Sequence, residues 1–228
     1  MRIVFLSDIH SNWYYLEQIR DVVREENYDL LYFLGDAIGY YDQPNEVLDW
    51  LKRMNAVCIK GNHEQYFLDE LPFDPKLSDI YQVETNKKTI TYQNKEFIRS
   101  WKDTIETTIK GKKFLIMHGD VDSSEVRTYH SNEIDSNILK KYDFYVYGHT
   151  HLPLIHYSYG CCIVNPGSIG QPRDFTNLAS YAIVDLNTNE TSLKKIHIDN
   201  KVYLEKLARN QFDMKVIQAL TKDRNGSN

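Results

Sequence analysis

The chain has 228 residues, 42% of them hydrophobic, which is enough to bury a sizeable core in one large domain or two small ones. Its net charge of -5 and pI near 5.9 exclude a basic nucleic-acid face spread over the whole surface, though not a local one. No apolar run approaches the ~20 residues of a membrane span, and Ser7-Asp8 breaks the first apolar run with no small-residue cleavage site after it, so no signal peptide is expected.

Residues 2–6 are short, apolar and β-branched, the pattern of a buried strand, and lead into Ser7-Asp8-Ile9-His10-Ser11-Asn12. In extended chain, Asp8 and His10 point to the same side, and a carboxylate beside an imidazole suits a first-row divalent metal. Asn12 then caps a helix over 13–26, with Leu16, Ile19, Val22 and Val23 at helical spacing. A second buried strand, 29–34, ends in Gly35-Asp36-Ala37-Ile38-Gly39. Pro44 opens a second helix with Val47, Leu48 and Leu51 on one face. A third strand, 56–59, ends in Lys60-Gly61-Asn62-His63-Glu64. This β-α-β-α-β order predicts a parallel sheet with crossover helices.

Residues 65–101 are polar and aromatic and read as a helical insertion, helical from about 83 to 100. Strands at 104–109 and 113–117 form a hairpin, and the second ends in His118-Gly119-Asp120. A short helix over 132–140 precedes a strand at 143–147, which ends in Gly148-His149-Thr150-His151. Two hairpins follow, pairing 154–157 with 161–164 and 180–186 with 191–198. Between them lies the turn-rich loop 165–174. A last helix spans about 202–220, with Leu207, Met214, Ile217 and Leu220 on one face, and 222–228 form a polar tail. No repeat or domain boundary is visible, so 1–221 read as a single domain. Cys58, Cys161 and Cys162 are odd in number, lack zinc spacing and sit in expected strands. They read as reduced thiols of a cytoplasmic protein.

Five strands thus end in residues able to bind metal: Asp8 and His10, Asp36, Asn62 and His63, His118, then His149 and His151. Ligand sites of open α/β sheets lie outside the carboxyl ends of the strands. Of eight histidines, five fall at these ends, which packing alone does not produce. The ordered set Asp-x-His, Gly-Asp, Gly-Asn-His-Glu, His-Gly-Asp and Gly-His-Thr-His resembles the calcineurin-like metallophosphoesterase superfamily. The later Asn165-Pro166-Gly167-Ser168 resembles its small bacterial and archaeal phosphodiesterase branch.

The resemblance implies an α/β four-layer sandwich of two mixed β-sheets flanked by helices, with a two-metal centre at one rim. It implies one metal on Asp8, His10 and His151, a second on Asn62, His118 and His149, and Asp36 bridging them, together with a water or hydroxide poised for in-line attack. The mixed donor set favours Mn2+, with Fe, Zn, Ni or Co as other occupants, over magnesium. His63 is placed near the leaving-group oxygen as a proton donor, and Glu64 reads as structural. Arg173 offers a fork for a phosphate oxygen, and Tyr40, Tyr41, Tyr66 and Phe67 offer rings to an aromatic group. Arg173 and Tyr40 are the substrate-contact candidates. His130, His156 and His197 match no motif.

The expected partner is a small phosphoester, most simply a nucleotide-type diester, with no membrane and no long nucleic acid; a homo-oligomer is compatible with the sequence. The alternatives are a phosphomonoesterase or nucleotide pyrophosphatase on the same site, or a non-catalytic scaffold such as the small retromer subunit. Every motif position is filled here, which argues against the scaffold. A metal-dependent amidohydrolase barrel needs about 250 residues and eight βα units, which the two late hairpins contradict.

Overall fold

Alternation along the first strand, β1 (Arg2–Leu6), separates the layers. Ile3 and Phe5 face one apolar cluster, and Val4 and Leu6 face another. The computed structural model describes residues 1–174, 176 and 178–221. The polar tail expected over 222–228 lies outside the described residues.

After β1, Asn12 accepts the N–H of Tyr15 and starts α1 (Trp13–Glu25). The buried stripe of α1 is Tyr15, Leu16, Ile19 and Val23, and Val22, expected there, is exposed. Next come β2 (Leu30–Phe33), α2 (Pro44–Arg53) with Pro44 in its first turn, the two-residue β3 (Val57–Cys58) and α3 (Asn62–Phe67).

The insertion is not one helix. It holds a 3₁₀ turn at Pro75–Leu77, then α4 (Ser78–Tyr81), α5 (Val83–Thr89) and α6 (Tyr92–Arg99). Gln82, at φ +56°, breaks the first junction, and Thr91 caps α6 through its hydroxyl.

Strands β4 (Thr104–Ile109) and β5 (Lys112–Met117) form the expected hairpin around Lys110-Gly111. The helix expected over 132–140 is reduced to a 3₁₀ turn at Ser131–Glu133 and a single turn, α7 (Ser136–Leu139). The Asp135 carboxylate caps the N–H of Asn137 and so restarts the chain between them. Then follow β6 (Phe144–Val146), β7 (Leu154–Ser158), β8 (Cys161–Asn165), β9 (Ala179–Asp185) and β10 (Glu190–Ile196). The final helix is two, α8 (Lys201–Arg209) and α9 (Met214–Thr221). Gln211 at φ +58° ends the first, and the Asp213 carboxylate caps the N–H of Lys215 in the second. The break turns Met214 out to solvent while Leu207, Ile217 and Leu220 stay buried.

The strands make two mixed five-stranded sheets, ordered β10-β9-β1-β2-β3 and β4-β5-β6-β8-β7. In the first, β1, β2 and β3 run parallel; in the second, β5, β6 and β8 do. Phe5, Phe114, Val146, Cys162 and Val184 fill the space between the sheets. Helices α1, α2, α8 and α9 cover the outer face of the first sheet. Ile134 and Leu139 cover Leu115, Tyr145 and Ile163 on the second. This is the expected four-layer arrangement. The three cysteines are free and buried, two of them in β8. No described helix is long and apolar enough to cross a membrane.

Candidate metal centre at the carboxyl rim

All seven candidate ligands follow the carboxyl ends of parallel strands. Asp8 and His10 follow β1, Asp36 follows β2, Asn62 follows β3, His118 follows β5, and His149 and His151 follow β6. Each is at most 6% exposed. Six of them gather into two groups that meet at Asp36. Asp8, His10 and His151 form one, and Asp36, His118 and His149 the other. His10, Asp36 and His63 lie close enough to form a third set between them.

The backbone that presents these side chains is strained. Asp8, His10, Asp36, His149 and His151 all have φ between +54° and +62°. A non-glycine residue there costs about 1–2 kcal/mol, and such outliers collect at functional sites. Asp8 and His10 therefore do not share a side by strand alternation, as the sequence suggested. β1 ends at Leu6, and two left-handed residues aim both side chains into the rim.

Hydrogen bonds fix which ring nitrogen each histidine offers. Nδ1 of His10, His118 and His151 faces the carbonyls of Ile38, Leu34 and Gln171 at 3.2, 2.7 and 2.6 Å. A carbonyl only accepts, so Nδ1 carries the proton and Nε2 is left for the rim. His149 is reversed, with Nε2 donating to the Glu125 carbonyl at 3.1 Å and Nδ1 buried without a partner among the described residues. The Asn62 amide oxygen is buried without a partner as well.

Asp36 holds the centre. Its Oδ1 accepts the backbone N–H of His63 at 3.0 Å. Its Oδ2 lies 3.2 Å from His118 Nε2, 3.8 Å from His10 Nε2 and 4.0 Å from His63 Nε2. One oxygen thus faces both groups. On the other side, Asp8 Oδ1 lies 3.2 Å from His151 Nε2, while Oδ2 accepts from Ser7 Oγ at 2.5 Å and from the N–H of His149 at 3.1 Å.

The electrostatics match a cation site. Burial holds His10 and His151 below the ordinary imidazole value and lowers His149 to about 3, so all three are neutral with a free lone pair. Burial also opposes charge on His118, but the Asp36 carboxylate outweighs it and raises that ring to about 9. Burial alone would raise Asp8 and Asp36, yet the surrounding imidazoles hold both carboxyls low and ionised. Buried carboxylates, an orphaned amide oxygen and an orphaned imidazole nitrogen facing one space fit divalent cations.

Other expected residues are placed as follows. His63 is 3% exposed, its ring 4.8 Å from His10 and 4.9 Å from Tyr40. Burial lowers it to about 4. Tyr40, Tyr41 and Phe67 all belong to the core under the helices, and of the three Tyr40 packs edge-on to His10 at 4.7 Å. Arg173 is half-buried and donates to the Gln171 side chain at 2.7 Å; its charge adds to the burial that lowers His151 and opposes the burial that raises Tyr40. His130, His156 and His197 are exposed and belong to none of the rim groups.

Two features were not legible in the motifs. The loop after β8 ties the rim together: Ser168 Oγ donates to the Asp8 carbonyl at 2.7 Å, Asn12 Nδ2 to the Gly170 carbonyl at 2.7 Å, and Asn165 Nδ2 to the Gly148 carbonyl at 2.8 Å. Tyr81 of the insertion reaches the ring of His63 at 4.8 Å, with no sequence motif to mark it.

Comparison with known proteins agrees with this fold. An uncharacterized protein of Methanocaldococcus jannaschii is 30% identical over 226 residues, covering 92% of this chain and 93% of that protein. The crystal structure of a metallophosphoesterase from Sphaerobacter thermophilus superposes with a TM-score of 0.81 at 21% identity, over 97% of this chain and 98% of that one. An archaeal phosphodiesterase superposes with a TM-score of 0.55 at 19% identity, over 86% of this chain and all of that one. Residues 1–189 match the model of the calcineurin-like phosphoesterase superfamily domain, and the chain belongs to that superfamily.

Proposed function

We propose that the chain is a two-metal phosphodiesterase acting on a small nucleotide-type diester. The observation that carries the reading is Asp36 Oδ2, one carboxylate oxygen set between two groups of imidazoles. Asp8, His10 and His151 would hold one cation, Asn62, His118 and His149 the other, and Asp36 both. The donor set suits Mn2+. Bound there, two cations would polarise the phosphoryl group, neutralise its charge and acidify a water.

The chain's own residues do the rest. The carbonyls of Leu34, Ile38 and Gln171 hold three imidazoles in one tautomer, so the rim needs no rearrangement on binding. His63 stands beside Asp36 and off the backbone anchors that fix the other rings. Burial keeps it neutral, and an anionic phosphate beside it would raise its proton affinity, making it a donor to a departing alkoxide. Arg173 at the rim supplies a fixed positive charge near His151. The archaeal phosphodiesterase with the same fold supports the diester reading by analogy.

The test is kcat/KM with added manganese on matched aryl monoesters and diesters, then on linear and cyclic dinucleotides. Diester preference is expected. A large preference for monoesters would move the protein to the phosphatase class.

A further inference from the structure

His63 stands at one end of a row of rings. Tyr81 lies 4.8 Å from it, Phe73 lies 5.9 Å beyond Tyr81, and Tyr66 bridges the row at 5.1 Å from Phe73 and 6.1 Å from His63. Tyr66 and His63 are buried, whereas Tyr81 and Phe73 are half-buried and come from the insertion. The row is held in place. The N–H of Tyr40 donates to the Tyr81 carbonyl at 3.2 Å, and the Tyr66 hydroxyl donates to the Glu125 carboxylate.

The far end of the row opens into a cavity of about 610 Å³, lined by Phe73, Leu71, Pro72 and Pro75 together with Glu70 and Glu84. Its size suits a group larger than a phosphate. Its charge disfavours a second phosphate: Asp69, Glu70 and Glu84 outnumber the cations that reach them, Glu70 pairing with Lys60 at 2.6 Å and Glu84 lying 3.7 Å from Lys87, and their remaining oxygens accept N–H and O–H donors. Lys87, the basic residue on its wall, is already paired with Asp69 at 2.6 Å. A flat aromatic group that carries amino and hydroxyl donors is the matching ligand.

We propose that Tyr81 and Phe73 form a stacking platform that leads the nucleoside end of a small phosphodiester away from His63 and into this cavity. The proposal rests on the phosphodiesterase reading for which end of the substrate is cleaved, but not for binding. Stacking on an aromatic face tolerates any base, because every base has a π-face. The insertion then sets substrate choice while the rim sets the chemistry. A diester with a nucleoside on the His63 side is held, and a simple alkyl ester is not.

The experiment uses the full chain loaded with manganese. Titration calorimetry compares adenosine 5′-monophosphate with ribose 5-phosphate, which carry the same phosphate and differ in the base. The platform predicts tighter binding of the nucleotide by on the order of tenfold. Tyr81→Leu and Phe73→Leu, which keep apolar bulk but remove the ring, should each cut that preference to about threefold or less and leave ribose 5-phosphate affinity unchanged. Equal affinity for the two ligands in the parent chain overturns the proposal. So does an undiminished preference in folded variants, which would make the row mere packing for the insertion. If Tyr81→Leu fails to fold, Phe73→Leu decides, since Phe73 lies outside the main apolar clusters. A nucleotide preference that both variants abolish, in a chain that hydrolyses no diester, would support the platform and refute the phosphodiesterase reading alone.

Discussion

The carboxylate of Glu64 accepts the backbone N–H of Asp36 at 2.8 Å, and with it those of Ala37 at 2.8 Å, Ile38 at 3.2 Å and Gly61 at 2.8 Å. Burial, and after it the charge of Asp36, push the Glu64 carboxyl up to about 8, and the N–H donors pull against that shift. The third residue of α3 thereby clamps the left-handed turn that carries the central carboxylate. Glu64→Gln puts an amide N–H against these donors. It should destabilise the fold by about 1–3 kcal/mol, the cost of leaving a buried donor unsatisfied. Urea denaturation measures it. A change below about 0.5 kcal/mol, in the range of an ordinary surface substitution, would show that the clamp is not needed.

Asp36→Asn should lower metal content below two ions per chain and abolish turnover, because the shared anionic oxygen is gone. Elemental analysis of the purified variant, with anomalous scattering from manganese-soaked crystals, reads the occupancy of each position. Two fully occupied sites in this variant would contradict the bridging role.

His63→Ala should keep both metals and lose about 10²–10⁴-fold in kcat on diesters with alkyl leaving groups, the usual range for general acid catalysis. Aryl diesters, whose leaving groups depart without a proton, should lose much less. An equal loss on both types points to positioning and not to proton donation.

Gly39 has φ +96°, and a Cβ placed on it would overlap His63 Nδ1. Gly39→Ala therefore pushes the imidazole out of place and strains the backbone by about 1–3 kcal/mol. The expected phenotype copies His63→Ala in leaving-group dependence with metals retained. Parent-like kinetics on alkyl diesters would remove His63 from the chemistry.

Chelation should lower thermal stability. A ligand at 100 times its dissociation constant contributes about 2.7 kcal/mol, which for a chain of this size corresponds to about 5–10 °C in Tm. Calorimetric scans with and without EDTA, then with manganese restored, make the comparison. An unchanged Tm would mean that the buried donors at the rim gain nothing from a cation.

The parts of this site that depend on residue identity were readable in the sequence. The motifs at Asp8, Asp36, Asn62, His118 and His149 marked side chains that follow the strand ends at the rim, because a strand end is marked by apolar run, glycine and polar residue together. The reason first given for Asp8 and His10 was wrong, since φ is not written in the residue type and both are left-handed. The helix break at Gln211 was missed for the same reason, since glutamine carries no turn signature and tertiary contacts impose the conformation, and the helix expected over 83–100 is broken at Ile90, where the chain turns extended before Thr91 caps α6. Tyr81 was invisible because its partner His63 is 18 positions away and meets it through the insertion's docking. Glu64 was assigned to structure correctly, but its four donors come from two different turns.

The Leu34 carbonyl belongs to the first sheet and His118 to the second, and the same seam is crossed by Asp8 with His149 and by Ser168 with Asp8. Between the sheets lies apolar packing, which has no direction and resists sliding poorly. At the opposite end, where the β4–β5 and β9–β10 turns lie, the sheets meet through an exposed Lys110–Asn187 contact at 3.3 Å. The sandwich is thus bound like a book, with its spine at the charged rim and its pages free at the turns. Opening of the sandwich is expected to begin at the turns, and the candidate metal centre sits at the end where the hydrogen bonds between the sheets are buried.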